Sequence, residues 1–109
     1  MRTATYWINH LRLTRHPEGG YYRETYRSTE SVEPAALPAR FQGSRSLSTA
    51  IYFLLESSQR SVFHRIKSDE VWHFYDGSPV AIFVLRDGGL DTFRLGLSIE
   101  NNETPQVTI

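Results

Sequence analysis

Two histidines and a glutamate lie close together in residues 61–77 (SVFHRIKSDEVWHFYDG), among apolar and aromatic side chains. His64 and His73 flank an acidic turn that contains Glu70. A neutral imidazole beside a carboxylate can bind a metal ion or exchange protons with a substrate. His64 and Glu70 are therefore the candidate catalytic pair of this sequence and its candidate metal ligands.

Two short strands, at 61–66 and 70–76, are predicted to position this pair on either side of the polar turn. Alternate residues of a strand share a face, so His64 and Glu70 would point into one cavity. His73 would face away from them unless a β-bulge intervenes. A catalytic metal ion usually has three protein ligands, so this pair alone does not complete a metal site.

The flanking sequence is typical of a small all-β protein with one helix. A helix is predicted over 3–13, with Thr3 or Thr5 as its N-cap, ending before Pro17. Its His10 is expected to be a surface residue. Further strands are predicted at 21–28, 46–56, 80–86, 90–95 and 106–109, with an exposed loop at 29–45. Many short antiparallel strands favour a sandwich or a barrel.

Three of these segments carry more specific expectations. The strand at 46–56 is apolar enough to be buried on both faces, and the 87–89 segment (DGG) predicts a hairpin turn. The strand at 21–28 is either an edge strand with a solvated face or a strand that lines a polar pocket, with Arg23 or Glu24 inside. The last strand stops at Ile109 without a turn, so either another chain covers this edge or the chain is part of a longer protein.

Composition restricts the functional class. At 109 residues the chain is expected to form a single domain, residues 1–109, with one core. Twelve basic and twelve acidic residues cancel, which argues against a nucleic acid polymer or an anionic membrane as partner. No apolar run approaches the roughly 18 residues that span a bilayer. There is no cysteine and no apolar N-terminal leader, so a cytoplasmic location is the default expectation.

Part of the central segment resembles the first sequence motif of the cupin superfamily, G-x5-H-x-H-x3,4-E-x6-G. His64, Glu70 and Gly77 occupy the positions of its first histidine, its glutamate and its final glycine. Ile66 replaces the second histidine and Ser58 the leading glycine, which weakens the implied metal site. The second cupin motif, which carries a further histidine, would lie beyond Ile109.

Three segments in order resemble a smaller family of largely uncharacterised cupin-like proteins: HPEGGYYRET (His16 to Thr25), IYFLL (Ile51 to Leu55) and SDEVWHFYDG (Ser68 to Gly77). The resemblance implies a jelly-roll β-barrel that forms a homodimer, with a pocket in the barrel mouth. It also implies a likeness to nucleotide-sugar epimerases of the same fold. Chains of that family are longer, continuing into strands that complete the barrel.

Three functional hypotheses remain open. In the first, an epimerase-like or hydrolytic site acts on a small polar substrate, such as a sugar or nucleotide derivative, through His64 and Glu70. Side chains that could bind the substrate are Tyr22, Arg23, Arg65, Trp72, His73 and Tyr75. In the second, the same pocket binds without turnover, and Trp72, Phe74 and Tyr52 stack on a ring. In the third, His64 is a core histidine and Glu70 a turn residue. The cofactor is open between a divalent metal ion and none, and the missing histidine favours none.

Overall fold

The computed structural model describes residues 1–109, which divide into two compact units, Arg2–Lys67 and Ser68–Ile109 with Met1. Every paired strand has an antiparallel neighbour, as the sequence predicts. The first unit contains α1 (Ala4–Leu11), β1 (Thr14–Arg15), β2 (Tyr21–Arg27), β3 (Ser31–Val32), β4 (Arg45–Ser46) and β5 (Thr49–Leu54). The second contains β6 (Val71–His73), β7 (Val80–Arg86), β8 (Gly89–Leu95) and β9 (Gln106–Thr108). Short 3-10 helices lie at Pro34–Ala36 and Ile99–Asn101.

The N-terminal helix forms where it was predicted and is capped by Thr3. The Thr3 hydroxyl accepts a hydrogen bond from the Tyr6 N–H at 3.1 Å, which satisfies one free donor of the first turn. The helix ends earlier than expected, at Arg12, which adopts a left-handed conformation with φ 54° and ψ 49°. Pro17 is therefore not what ends it. His10 is exposed, as predicted, and stacks on the Tyr6 ring.

The sheet of the first unit has the strand order β1-β2-β5, so β2 is its central strand. The interpretation of residues 21–28 as an edge strand is therefore wrong for Tyr21 and Tyr22, which pair on both sides, whereas from Arg23 onward β5 is the only neighbour and the side chains are exposed. Tyr22 lies opposite Phe53, and the register shifts between Glu24 and Tyr26. The expected burial of the 46–56 strand on both faces is also wrong, because most of β5 is exposed, including Ile51 at 46%. An apolar sequence makes a strand suitable for burial. The strand becomes buried only where a second layer of the protein packs against it.

Two connecting segments differ from their predictions. The 29–45 loop contains the 3-10 helix, and a short ladder between β3 and β4 pairs Ser31 with Ser46. The strand predicted at 61–66 is wrong, because these residues form no ladder. Without it there is no hairpin across the acidic turn, and β6 pairs instead with β9, with Trp72 opposite Val107. The partner that β6 uses lies far along the chain, where local periodicity gives no indication of it.

The hairpin predicted at 87–89 forms between β7 and β8, with Gly88 at a φ of +84°. The last strand also forms as predicted, but it is paired with β6 along its length. The buried apolar residues are few. They are Leu13 in the first unit and Leu95 and Val107 in the second. No helix of the protein is long and apolar enough to span a membrane.

Candidate functional site

His64 is paired with a carboxylate of its own unit, that of Glu18. His64 Nδ1 lies 3.2 Å from Glu18 Oε2 and 2.9 Å from the Val62 carbonyl oxygen. The Val62 carbonyl oxygen can only accept a hydrogen bond, so Nδ1 carries the hydrogen, with the carboxylate oxygen beside it. In a neutral ring the lone pair then lies on Nε2, which is the nitrogen left to accept a proton from a bound molecule.

Glu18 lies in a tight turn, His16–Gly20, whose backbone is closed by two hydrogen bonds. The His16 N–H donates to the Gly20 oxygen at 2.8 Å, and the Gly19 N–H donates to the His16 oxygen at 3.1 Å. Gly19 and Gly20 have φ values of +112° and +79°, which side-chain-bearing residues rarely adopt. The sequence HPEGG therefore forms this turn through its two glycines and through Pro17, which restricts φ at the start.

The absence of a side chain at Gly19 lets a second segment approach the turn. A Cβ atom at Gly19 would collide with the carbonyl oxygen of Arg60. In the same segment as Arg60, the Val62 backbone N–H donates a hydrogen bond to the Glu18 backbone carbonyl oxygen at 3.1 Å. The unpaired segment that carries His64 is thus attached to the turn through backbone as well as through side chains.

His16 shares the same glutamate. The Glu18 N–H donates to His16 Nδ1 at 3.0 Å, so this nitrogen is unprotonated and Nε2 carries the hydrogen of the neutral ring. The half-buried imidazole makes edge contacts with Tyr22 and Phe53, at ring-centroid distances of 4.9 and 5.4 Å. One glutamate therefore contacts two histidines and favours opposite tautomers in them.

Glu70, the predicted partner of His64, belongs to the other unit. Its carboxylate accepts a long hydrogen bond, 3.4 Å, from the Trp72 indole N–H. Its backbone pairs with Ile109 through two hydrogen bonds of 3.1 and 2.8 Å. A cavity shared by His64 and Glu70 stays a prediction.

The remaining predicted binding residues have different environments. Arg23 donates to the Leu11 oxygen at 3.3 Å, and Arg65 is exposed. His73 Nδ1 accepts from Gln106 Nε2 at 3.3 Å. Tyr75 is 73% exposed. The alternation predicted for the second strand is confirmed over 71–75: Trp72 and Phe74 are half-buried, whereas Val71, His73 and Tyr75 are exposed.

The metal site that the cupin motif implies does not fit the residues present. No three His, Cys, Asp or Glu side chains gather closely enough to hold a metal ion. His64 has one carboxylate beside it, and its Nδ1 donates to the Val62 carbonyl oxygen.

Sequence reasoning missed Glu18 and His16 as functional candidates. Both lie in HPEGGYYRET, one of the segments that carried the family resemblance. By sequence alone, Glu18, Gly19 and Gly20 indicate only a flexible turn, and His64, which the Glu18 carboxylate approaches, lies far along the chain. The double glycine was the signal that could have identified them, since it indicates a turn into which another part of the chain packs closely.

Comparison with known proteins places the whole chain in one family. The model of the family described as "Cupin superfamily (DUF985)" matches residues 5–109. A protein of the yeast Saccharomyces cerevisiae, described as "Uncharacterized protein YML079W", is 31% identical over 105 residues. That match covers 91% of this chain and 52% of the yeast protein. The chain thus spans about half the length of this relative.

Two solved structures are similar to the chain. Protein SO0799 from Shewanella oneidensis has a TM-score of 0.85 and 37% identity, covering 100% of this chain and 64% of that one. A hypothetical protein from Leishmania major has a TM-score of 0.86 and 33% identity, covering 98% and 64% respectively. The paired antiparallel strands and the single N-terminal helix are consistent with the all-β jelly-roll fold of cupins.

Proposed function

Because the chain belongs to the DUF985 family of the cupin superfamily, we propose that it binds a small polar ligand in a barrel-mouth pocket and acts on it through His64. The ligand class is a sugar or nucleotide derivative, and the chemistry is proton transfer of an epimerase-like or hydrolytic kind. Proton abstraction beside a carbonyl group and activation of water both require a base of this type. Neither requires a bound metal ion.

The observation that carries this proposal is the pairing of His64 with Glu18. A carboxylate against Nδ1 orients an imidazole and stabilises the cation that forms when Nε2 takes a proton. The His64 side chain is 38% exposed, so part of the ring is open to a ligand. A histidine that only filled a core would be enclosed, and its second nitrogen would be paired as well.

Basic and aromatic side chains supply the proposed binding contacts. Arg65 is exposed, and Arg23 uses one terminal nitrogen on Leu11, which leaves the rest of its guanidinium group for an anion. A guanidinium group matches the geometry of a phosphate or a carboxylate. Tyr22, next to the His16 ring, can contact a sugar or a base.

A thermal-shift screen of the 109-residue chain tests the proposal. The panel contains nucleoside monophosphates, nucleoside diphosphate sugars and hexose phosphates. A ligand at about 100 times its dissociation constant adds about 2.7 kcal/mol to the free energy of unfolding, which raises the melting temperature by several degrees. Each compound that binds is then incubated with the protein and followed by NMR for exchange of carbon-bound hydrogen or for hydrolysis.

The matched variants are His64→Ala and His10→Ala, since His10 is an exposed histidine of the helix. His64→Ala is expected to abolish turnover, and His10→Ala to leave it unchanged. Glu70→Ala tests the predicted contribution of that carboxylate. A panel without a stabilising compound, or turnover that survives in His64→Ala, contradicts the proposal.

A second candidate function is binding without turnover. It is favoured by the exposure of Tyr75, whose side chain is 73% exposed and can contact a ligand ring. It predicts compounds that raise the melting temperature and stay chemically unchanged. In that case Tyr75→Ala would weaken binding more than His64→Ala does.

A further inference from the structure

We propose that Glu18 and His16 are positioning residues for His64. The His16–Gly20 turn holds the His64 imidazole in the tautomer with hydrogen on Nδ1 and keeps Nε2 free to accept a proton. The use of that nitrogen as a base rests on the proposed function. The tautomer itself is a property of the free chain and can be measured without any ligand.

Glu18 acts on His64 in two ways. Its carboxylate oxygen Oε2 lies 3.2 Å from Nδ1, where its charge favours a hydrogen on that nitrogen. Its backbone carbonyl accepts from the Val62 N–H at 3.1 Å, and the Val62 carbonyl accepts from Nδ1 at 2.9 Å. Glu18 therefore supplies the carboxylate beside Nδ1 and also holds the backbone of Val62, whose carbonyl accepts the Nδ1 hydrogen.

His16 helps to keep Glu18 in place. Nδ1 of His16 accepts the Glu18 N–H at 3.0 Å. This contact resembles an Asx turn, in which a side chain accepts from the N–H two residues further on. The His16 ring is itself held between Tyr22 and Phe53, so the acceptor cannot easily rotate away. Loss of the His16 acceptor would leave Glu18 held by backbone hydrogen bonds alone and would loosen both of its contacts to His64.

Solvent weakens the attraction between Glu18 and His64. The side chains of Glu18 and His64 are each about one third exposed, at 35% and 38%. Attraction between partly exposed charges is modest, so the Glu18 side chain adds to the preference that the hydrogen bond from Nδ1 to the Val62 carbonyl establishes. A glutamine at position 18 offers an amide oxygen at the same place and should preserve the effect. An alanine there offers none.

The experiment measures the imidazole nitrogen shifts of the 109-residue chain by long-range 1H–15N NMR. The pH is set to about 8.5, well above the ordinary histidine pKa of about 6.5, so that neutral rings are observed. In the unmodified chain we expect a protonated Nδ1 in His64 and a protonated Nε2 in His16. Free imidazole side chains in water favour the Nε2 tautomer, so the state expected for His64 requires a cause.

Two matched pairs of variants separate the contributions. Glu18→Ala should shift His64 toward the Nε2 tautomer, whereas Glu18→Gln should keep the shifts of the unmodified chain. His16→Ala should produce the same change in His64, and His16→Asn should rescue it because Asn Oδ1 can accept the Glu18 N–H. Backbone amide spectra establish that each variant is folded. Glu18→Ala removes no backbone contact and keeps the test available if His16→Ala does not fold.

A His64 ring that is mainly the Nε2 tautomer in the unmodified chain overturns the proposal. Unchanged His64 shifts in Glu18→Ala overturn the role of Glu18, and unchanged shifts in His16→Ala overturn that of His16. An unsuccessful ligand screen leaves these measurements untouched. Failure of the positioning proposal is therefore distinguishable from failure of the proposed function.

Discussion

A single carboxylate organises its surroundings in each of the two units, and its burial decides what it contributes. Glu18 orients an imidazole and stays partly exposed. Glu103 is buried, with 7% of its side chain exposed, and accepts the Ser98 N–H at 3.0 Å. Gly96 leaves room for it, because a Cβ atom there would collide with Glu103 Oε1. A buried carboxylate of this kind is costly to remove, since the donor it satisfies is left without a partner.

We therefore predict that Glu103→Ala lowers the free energy of unfolding by about 1–3 kcal/mol, the penalty for an unsatisfied buried donor. The measurement is urea denaturation of the 109-residue chain followed by circular dichroism. Glu24→Gln is the control. Glu24 pairs with Arg27 and raises the pKa of that guanidinium group, first through their hydrogen bond and then through its charge.

The Arg27 side chain is 59% exposed and that of Glu24 41%, and ion pairs of this kind contribute little to stability. Glu24→Gln should therefore leave the urea midpoint unchanged. Equal changes in the urea midpoint for the Glu103 and Glu24 substitutions would contradict the stabilising role of the Glu103 carboxylate.

Among the elements, the His16–Gly20 turn has the most consequence for the site, because β2 starts directly after it and the His64 segment attaches to it. Its conformation depends on Gly19, which has a positive φ and lies against the Arg60 carbonyl. Other elements depend less on particular residues. Gly43, in the connection before β4, has no atom within 4 Å of the place where a Cβ would be.

Gly19→Ala is accordingly expected to lower the free energy of unfolding by at least about 1 kcal/mol, because the backbone conformation and the steric contact both oppose a side chain. The matched control, Gly43→Ala, should change it by no more than about 0.5 kcal/mol. Urea denaturation measures both, and the His64 amide signal reports whether the attached segment moves. If Gly19→Ala is as stable as Gly43→Ala, the turn is not the rigid support described here.

At the scale of the whole molecule, the notable property is how much apolar surface remains exposed. On β7 and β8, Leu85 lies directly opposite Leu90 and Phe83 opposite Thr92, and all three apolar side chains of these pairs are exposed. Alternation along the strands puts them on one face. A contiguous apolar face of this kind favours association between molecules. The homodimer implied by the cupin resemblance is a proposal that this property makes testable.

We predict that the 109-residue chain self-associates as its concentration rises, measured by sedimentation velocity. The double variant Leu85→Thr with Leu90→Thr should weaken association, because it removes the centre of the apolar face. The control double variant, Leu97→Thr with Ile99→Thr, removes two exposed apolar side chains outside these strands and should have little effect. A chain that stays monomeric throughout, or equal effects of the two variants, contradicts the prediction.

Much of the fold was predictable from the sequence by itself. The helix with its Thr3 cap, the strands β2, β7 and β8, and the turn at Gly88 formed where they were expected. These features depend on side-chain alternation, capping and turn chemistry, which act between residues a few positions apart. The three family segments are local in the same sense, and the comparisons confirm the cupin superfamily they indicated.

Only the tertiary structure decided which distant residues meet. It paired His64 with Glu18 and β6 with β9. It also placed β2 between β1 and β5. The strand expected at 61–66 did not form, because that segment is attached to the His16–Gly20 turn and not to a neighbouring strand. Periodicity indicates on which face of its own strand a side chain lies. It contains no information about which remote segment supplies the hydrogen-bond partner, and that partner determines the chemistry available to His64.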